Sequence, residues 1–506
     1  MKGKVYLVGA GPGNQGLITT RGLELIQRAD VLVYDRLAGS TLVAEAPQGC
    51  KKIYVGKQSS NHAMKQEDIN QLLVDLAESY KTVVRLKGGD PYVFGRGGEE
   101  AIELYDNNIE FEVVPGITSP IGGLCYAGIP ITHRDYASSF HVITGHLKDD
   151  NEEHDWDALA RLNGTLVFLM GMANLNKIVN RLMENGKPSD TPVGIVHWAS
   201  HPQQKVVEGT LENIVQEVEK SGVTSPSLIV VGQVVKLRKP LSFFERKPLQ
   251  GKRIIVTRAT KQSSTMVKRL HEKGGMAIAL PMIEINDLKP IDSNRVLKQL
   301  NTYEYIVFTS VNGIRRFFEE LHDAGLDARA LMGPKIVCVG SPTKEALKKH
   351  GIIADLIPDR FVAEGILELL APRLSSSDRV LIPRAKGARP LLIEELSKKC
   401  HVEEMQLYET VAAESDWSAY ESMTDDIDFI TFTSASTVRY FVEGSDKNKM
   451  TFKNAKYISI GPVTSEKMRE YGMEVYKEAE VHTIDGMIET LEKCVKENGN
   501  EFNTSS

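Results

Sequence analysis

Three short segments in the second half of the chain occur twice, in the same order and at nearly the same separation. Arg253-Ile254-Ile255-Val256-Thr257-Arg258 is echoed by Arg379-Val380-Leu381-Ile382-Pro383-Arg384. Phe308-Thr309-Ser310, with the helical pattern ending Arg315-Arg316-Phe317-Phe318, is echoed by Phe432-Thr433-Ser434 and Val438-Arg439-Tyr440-Phe441. Val339-Gly340-Ser341-Pro342-Thr343 is echoed by Ile460-Gly461-Pro462-Val463-Thr464. Each copy follows its partner by roughly 120–126 residues, and so constant a period restricts this region to two similar units. Short β-branched runs give way to Ser, Thr or Gly, the residues that cap helix N-termini. The pattern therefore predicts two α/β lobes, with free backbone N–H groups gathered at a sheet edge.

The first half has no such repeat, but it too alternates strand and helix. Val5–Val8, Val31–Tyr34, Thr82–Leu86, Phe111–Val114, Phe140–Thr144, Thr165–Met170 and Leu228–Val231 are apolar without strict alternation, as strands covered on both faces are. Glu67–Ser79 places Ile69, Leu72, Leu73 and Leu76 on one helical face. The charged, Pro- and Gly-containing stretch Phe243–Gly251 precedes a fresh strand at Arg253–Val256 and is read as the domain boundary. Two domains are expected, over 1–245 and 251–495. A chain of 506 residues with 42% hydrophobic and 25% charged residues can bury large cores without disulfides. Its net charge of −6 argues against a nucleic-acid binder, though not against a local basic pocket for an acidic small molecule. The five cysteines, Cys50, Cys125, Cys338, Cys400 and Cys494, are scattered, so no metal site is expected and a reducing cytoplasm fits. No apolar stretch approaches the length of a membrane span.

Two glycine-rich segments carry the chemistry of the first half. Gly9-Ala10-Gly11-Pro12-Gly13 follows the first strand, but Asn14 stands where a dinucleotide fingerprint needs Gly or Ala, and Pro12 removes an N–H. By itself it reads more readily as a tight strand-to-helix turn. The loop Lys87-Gly88-Gly89-Asp90-Pro91-Tyr92-Val93-Phe94-Gly95-Arg96-Gly97-Gly98-Glu99-Glu100 is too glycine-dense for ordinary packing and fits no phosphate-binding pattern. It lets backbone approach a ligand closely, with a carboxylate and a guanidinium on the rim.

With these motifs, residues 3–240 resemble the tetrapyrrole methylase family, and within it the uroporphyrinogen-III C-methyltransferases. The resemblance also runs through Tyr34-Asp35-Arg36-Leu37, Val55-Gly56-Lys57, Val114-Pro115-Gly116-Ile117-Thr118-Ser119 and Gly128-Ile129-Pro130-Ile131-Thr132-His133-Arg134. It implies a two-lobed α/β domain that binds S-adenosyl-L-methionine through Pro12, Gly88, Gly89, Asp90, Val93, Thr118, Ser119, Met170 and Ala199. It makes Asp35 and Lys57 the base and acid, and Arg96 and Arg134 plausible anchors for a polycarboxylate macrocycle. His133 reads as structural. A homodimer through this half is implied as well. Asn14-Gln15 departs from the common Asp-Pro, and Val93 stands where Ile is usual.

The second half resembles uroporphyrinogen-III synthase through Val256-Thr257-Arg258, Phe308-Thr309-Ser310, Leu407-Tyr408-Glu409-Thr410, Phe432-Thr433-Ser434 and Ile460-Gly461-Pro462-Val463-Thr464. The family has two α/β lobes facing a cleft. One lobe is expected from about 251–285 plus 409–490, the other from 286–408, linked by strands near Ile283–Ile285 and Gln406–Thr410. Helix starts at Ser310, Ser341, Ser434 and Thr464 would offer N–H groups to the carboxylates of hydroxymethylbilane. Tyr408 matches the family tyrosine held to assist departure of the hydroxyl. The resemblance thus implies a bifunctional enzyme of siroheme or cobalamin biosynthesis, with small-molecule tetrapyrroles as substrates and neither nucleic acid nor membrane as an expected partner. A non-catalytic tetrapyrrole-binding second half is the alternative. An RNA methyltransferase would want a basic face, and a dehydrogenase is opposed by Pro12 and Asn14.

Overall fold

The computed structural model describes residues 2–47, 49–56, 64–147, 153–290, 292–360, 363–415, 417 and 424–503. The chain divides into two compact units, Met1–Lys252 with Lys273–Met276, and Arg253–Glu272 with Ala277–Ser506. Each unit contains two five-stranded sheets.

In the first unit, β1 (Lys4–Gly9), β2 (Val31–Tyr34), β3 (Lys51–Tyr54), β4 (Thr82–Lys87) and β5 (Glu110–Val114) form a sheet ordered β3-β2-β4-β1-β5. All its pairings are parallel. Val5, Leu7, Val31, Val33 and Val83 enter one core, and Val8, Leu32, Val84 and Leu86 enter the core on the other face. Both faces are covered, which is why these strands read as continuous apolar runs. The helix Gln66–Ser79 covers the first core with Ile69, Leu73, Leu76 and Ala77, while Leu72 is only partly buried.

The second sheet takes β6 (Phe140–Thr144), β7 (Thr165–Leu169), β8 (Pro192–His197), β9 (Lys205–Thr210) and β10 (Ser227–Val231) in the order β6-β7-β10-β8-β9. Only β6 and β7 are parallel. The stretch 243–251 is no exposed linker: Phe244 and Leu249 are fully buried, and Phe244 packs on Tyr126 with ring centroids 5.0 Å apart.

The second unit contains β11 (Arg253–Val256), β12 (Met276–Ala279), β13 (Ile283–Asp287), β14 (Tyr305–Phe308), β15 (Lys335–Cys338), β16 (Arg379–Ala385), β17 (His401–Ala412), β18 (Phe429–Phe432), β19 (Lys456–Ser459) and β20 (Lys477–Glu478). They form sheets β12-β11-β18-β19-β20 and β13-β17-β16-β14-β15. The repeat has a structural counterpart: β14, helix Val311–Asp323, β15 and helix Ser341–Lys348 in one sheet match β18, helix Ala435–Asn448, β19 and helix Pro462–Glu470 in the other. The chain crosses between the sheets at β12–β13 and again after β17. β13 and β17 pair antiparallel from Ile283↔Ala412 to Asp287↔Tyr408, so the connection is a hydrogen-bonded ribbon. Among the described residues no helix is long and apolar enough to cross a membrane.

Candidate active sites

Three loops leave the carboxyl ends of β1, β4 and β5 and meet backbone to backbone. Gly11 N–H donates to Gly89 O (3.1 Å) and Gly89 N–H returns to Gly11 O (2.8 Å), with Ala10 N–H on Lys87 O at 2.7 Å. A Cβ on Gly116 would stand 2.2 Å from Gly89 O, so only glycine allows this approach. Gly89 differs. Its φ is +69°, and a Cβ there would meet nothing nearer than Ser119 N at 3.8 Å, leaving an open cradle lined by backbone.

Asp90 turns its carboxylate inward. Oδ1 accepts from Tyr92 N–H (2.8 Å) and Oδ2 from Gly116 N–H (3.0 Å), tying the β4 and β5 loops together. Thr118 is the N-cap of the helix Ser119–Tyr126 and makes no side-chain capping bond. Pro12 packs near Gly122 of that helix, and Ala199, from the loop after β8, packs near Gly123. Met170, at φ +57° and 56% exposed, follows β7, and Val93 is exposed on the β4 loop. Non-glycine residues at positive φ concentrate in these same loops, at Phe94, Arg96, Met170, Trp198 and Ser200, where backbone strain commonly accompanies a functional site.

Asp35 follows β2. Its Oδ1 accepts from Leu37 N–H (3.0 Å) and its Oδ2 pairs with Arg85 at 3.3 Å. A Cβ on Gly88 would lie 2.6 Å from Leu37 Cβ, so the turn carrying Asp35 rests on the glycine loop. Arg96 is exposed, with φ +58°, and engages Glu99 through two bonds of 2.9 and 2.6 Å; that pairing raises the guanidinium pKa. Arg134 is exposed. The Nδ1 of His133 accepts from Asp135 N–H at 3.2 Å. Lys57 lies outside the described residues.

In the second unit, Ser310 caps the helix Val311–Asp323. Its Oγ accepts from Gly313 N–H (2.9 Å) and bonds the Tyr408 hydroxyl at 2.8 Å. Tyr408 is 6% exposed. Burial pushes its hydroxyl pKa up, against smaller opposing effects of Ser310, Arg384 and Arg315, so the group keeps its proton at neutral pH. Ser434 caps the helix Ala435–Asn448 through a capping box with Thr437. The following helix starts at Pro462 with Gly461 as its cap, not at Thr464. Thr464 is therefore inside the first turn and only 3% exposed. Likewise Gly340 caps the helix that Ser341 begins.

The tetrapyrrole (corrin/porphyrin) methylase family model matches residues 4–215, and the uroporphyrinogen-III synthase HemD model matches residues 264–489. The porphyrin biosynthesis protein HemD of Ruminiclostridium josui is 41% identical over 497 residues, 97% of either chain. The chain belongs to both families, as a fusion of the two. The uroporphyrinogen-III C-methyltransferase of Bacillus subtilis is 42% identical over 360 residues, covering 71% of this chain and 74% of its own. Among solved structures, the Thermus thermophilus uroporphyrin-III C-methyltransferase complexed with S-adenyl homocysteine is 40% identical. It covers 46% of this chain and 100% of its own, with a TM-score of 0.41.

In the methylase half the structure brings Pro12, Gly88, Gly89, Asp90, Thr118, Ser119 and Ala199 around one helix start, with Asp35 beside them. In the synthase half it joins Ser310 to Tyr408, while Ser434 and Thr464 belong to the other sheet. Sequence reading missed Arg85, Lys87 and Glu100. All three are buried, and Lys87 Nζ lies 2.7 Å from Glu100 Oε1. Burial lowers the Lys87 pKa, and neighbouring Arg85 adds to the effect. The available signal was two cations two residues apart in a strand otherwise apolar on both faces.

Proposed function

We propose that the synthase half cyclises hydroxymethylbilane to uroporphyrinogen III and that the methylase half methylates this product twice to precorrin-2, a precursor of siroheme and cobalamin. The observation that carries the methylase reading is the open cradle at Gly89 with Asp35 on the adjoining turn. The donor set suits S-adenosyl-L-methionine: backbone without a side chain at Gly89, a helix start at Thr118 without a side-chain cap, and the small Ala199 packed against Gly123 of the same helix. When bound, that cofactor supplies an electrophilic methyl group. The chain's residues orient the macrocycle and remove a proton from it. Asp35, held by Leu37 N–H and Arg85, is the acceptor, and Lys57 is the acid. Arg96 and Arg134 anchor peripheral carboxylates as charge-assisted bonds do.

For the synthase half, the protonated Tyr408 hydroxyl beside Ser310 suits donation to a departing hydroxyl. Helix starts at Ser310 and Ser434 offer N–H groups to substrate carboxylates without fixed cations. The protein acts as a homodimer through the methylase half, which sedimentation at micromolar concentration tests. The deciding experiment supplies hydroxymethylbilane to the whole chain. Without S-adenosylmethionine the type III isomer is expected, and with it the dimethylated product. If only the spontaneous type I isomer forms while added uroporphyrinogen III is still methylated, the second half is a carrier rather than a synthase.

A further inference from the structure

β4 is the centre of the first parallel sheet, and Val83, Val84 and Leu86 on it are fully buried. Arg85 and Lys87 alternate with Val84 and Leu86, each 4% exposed. Both project to the face covered by the helices Gln66–Ser79 and Gly97–Asp106, where Glu100 is 0% exposed. Glu100 Oε1 collects Lys87 Nζ (2.7 Å), Arg85 Nε (3.3 Å) and Gln66 Nε2 (3.2 Å). The other guanidinium nitrogens of Arg85 reach Leu86 O (3.1 Å) and Asp35 Oδ2 (3.3 Å). Two cations and two carboxylates thus form one chain, Lys87–Glu100–Arg85–Asp35, whose last member is partly exposed beside the glycine cradle.

Buried ion pairs are seldom the most stable filling of a core, since apolar residues of similar volume are often as stable or more so. A use beyond stability is therefore called for, and the geometry supplies it. Both oxygens of Asp35 are engaged, one by Leu37 N–H and one by Arg85. The carboxylate is held between Leu37 N–H and one nitrogen of a guanidinium whose other nitrogens are pinned by Glu100 and Leu86 O. At the other end, Lys87 is the residue before Gly88, and its carbonyl accepts the Ala10 N–H at 2.7 Å. The chain therefore ties the orientation of Asp35 to the strand end from which the cradle springs.

We propose that Arg85 is a positioning residue for methylation, acting through Asp35, with Glu100 as its anchor. This rests on reading Asp35 as the proton acceptor: a C–H bond of the macrocycle breaks, its electron pair stays on the macrocycle, and the proton forms an O–H bond on Asp35. A carboxylate turned away by the loss of Arg85 remains present but badly aimed, and misplacement of about 1 Å can cost on the order of 100-fold in rate.

The test uses the full chain with uroporphyrinogen III and S-adenosylmethionine. Arg85→Met, Arg85→Lys, Asp35→Asn and the double variant Arg85→Met/Asp35→Asn are compared by kcat, by KM and by calorimetric cofactor affinity. Arg85→Met is expected to lower kcat about 10–100-fold with cofactor affinity unchanged, and Arg85→Lys to recover part of that loss. The double variant should turn over no more slowly than Asp35→Asn alone, because residues acting as a unit are not additive. Losses that multiply, or a cofactor affinity that falls in step with kcat, would overturn the proposal in favour of a structural role. Full turnover by Asp35→Asn would instead remove Asp35 as acceptor, and this proposal with it. If Arg85→Met does not fold, Arg85→Lys keeps the charge without the fork and still decides: wild-type kcat in that variant sinks the positioning role.

Discussion

In the methylase half three loops touch backbone to backbone, whereas in the synthase half the groups that meet are two side-chain hydroxyls, those of Ser310 and Tyr408. A site made of main chain tolerates almost no side chain, so its glycines stand out in the sequence. A site made of helix caps and one tyrosine uses residues that every α/β protein has at those places. The contrast extends to the link between lobes of the second unit, where β13 and β17 pair as a ribbon. The same difference governs how each half should respond to mutation.

The largest effect is expected at Gly89. Gly89→Val would place a β-branched residue at φ +69° and fill the cradle, while meeting no protein atom nearer than 3.8 Å for its Cβ. Strain of ~1–3 kcal/mol at such a position should lower the unfolding free energy by about that much, and blocked access predicts cofactor affinity weakened by about 100-fold or more in calorimetry, well beyond what the strain alone would cause. Gly116→Ala sharpens the point. Its Cβ would stand 2.2 Å from Gly89 O, so that variant should damage the loops themselves and lower thermal stability. Equal behaviour of the two variants would break the distinction between a cradle and a packing contact.

Asp35→Asn should leave cofactor affinity intact and reduce methylation by about 100- to 10,000-fold, the range of general acid–base effects. Unchanged turnover would remove Asp35 from the chemistry. Tyr408→Phe should slow cyclisation by only about 10–100-fold, because constraint of the substrate contributes much of the rate there. Methylation of added uroporphyrinogen III should be unaffected, since distant independent sites add. A loss as deep as that of Asp35→Asn would mean that the synthase half also depends on a single group.

The smallest effect is expected from Ser434→Ala. It removes a capping box and should cost about 0.5–2 kcal/mol in denaturant unfolding of the second unit. Cyclisation should change less than in Ser310→Ala, which loses both a cap and the hydrogen-bond partner of Tyr408. If Ser434→Ala is the slower of the two, the other lobe holds the substrate more tightly than the Ser310–Tyr408 pair suggests.

Where the apolar pattern was strong, strands were legible. Thr82–Leu86 and Phe111–Val114 lie within strands of the structure, and the amphipathic stretch Glu67–Ser79 lies within a helix. Helix starts were less so. The helix after β19 begins two residues before Thr464, because Gly461 and Pro462 form the cap and first turn there. The stretch 243–251 carries linker-like residues, but Phe244 and Leu249 bury completely, and Phe244 packs on Tyr126 of the first unit.

The sequence by itself determined the two α/β halves, the internal repeat of the second, and the glycine segments that let backbone approach backbone. Those follow from local periodicity and from the conformations that only glycine adopts. Tertiary structure alone decided that Arg85 and Lys87 face inward rather than outward, and that Glu100, from a helix beyond the loop, meets them. It also decided that Ser310 and Tyr408, 98 residues apart, share a hydrogen bond. Charge pairing and hydroxyl contacts are set by which elements pack together, and a strand position says nothing of its partner until the helix above it is in place.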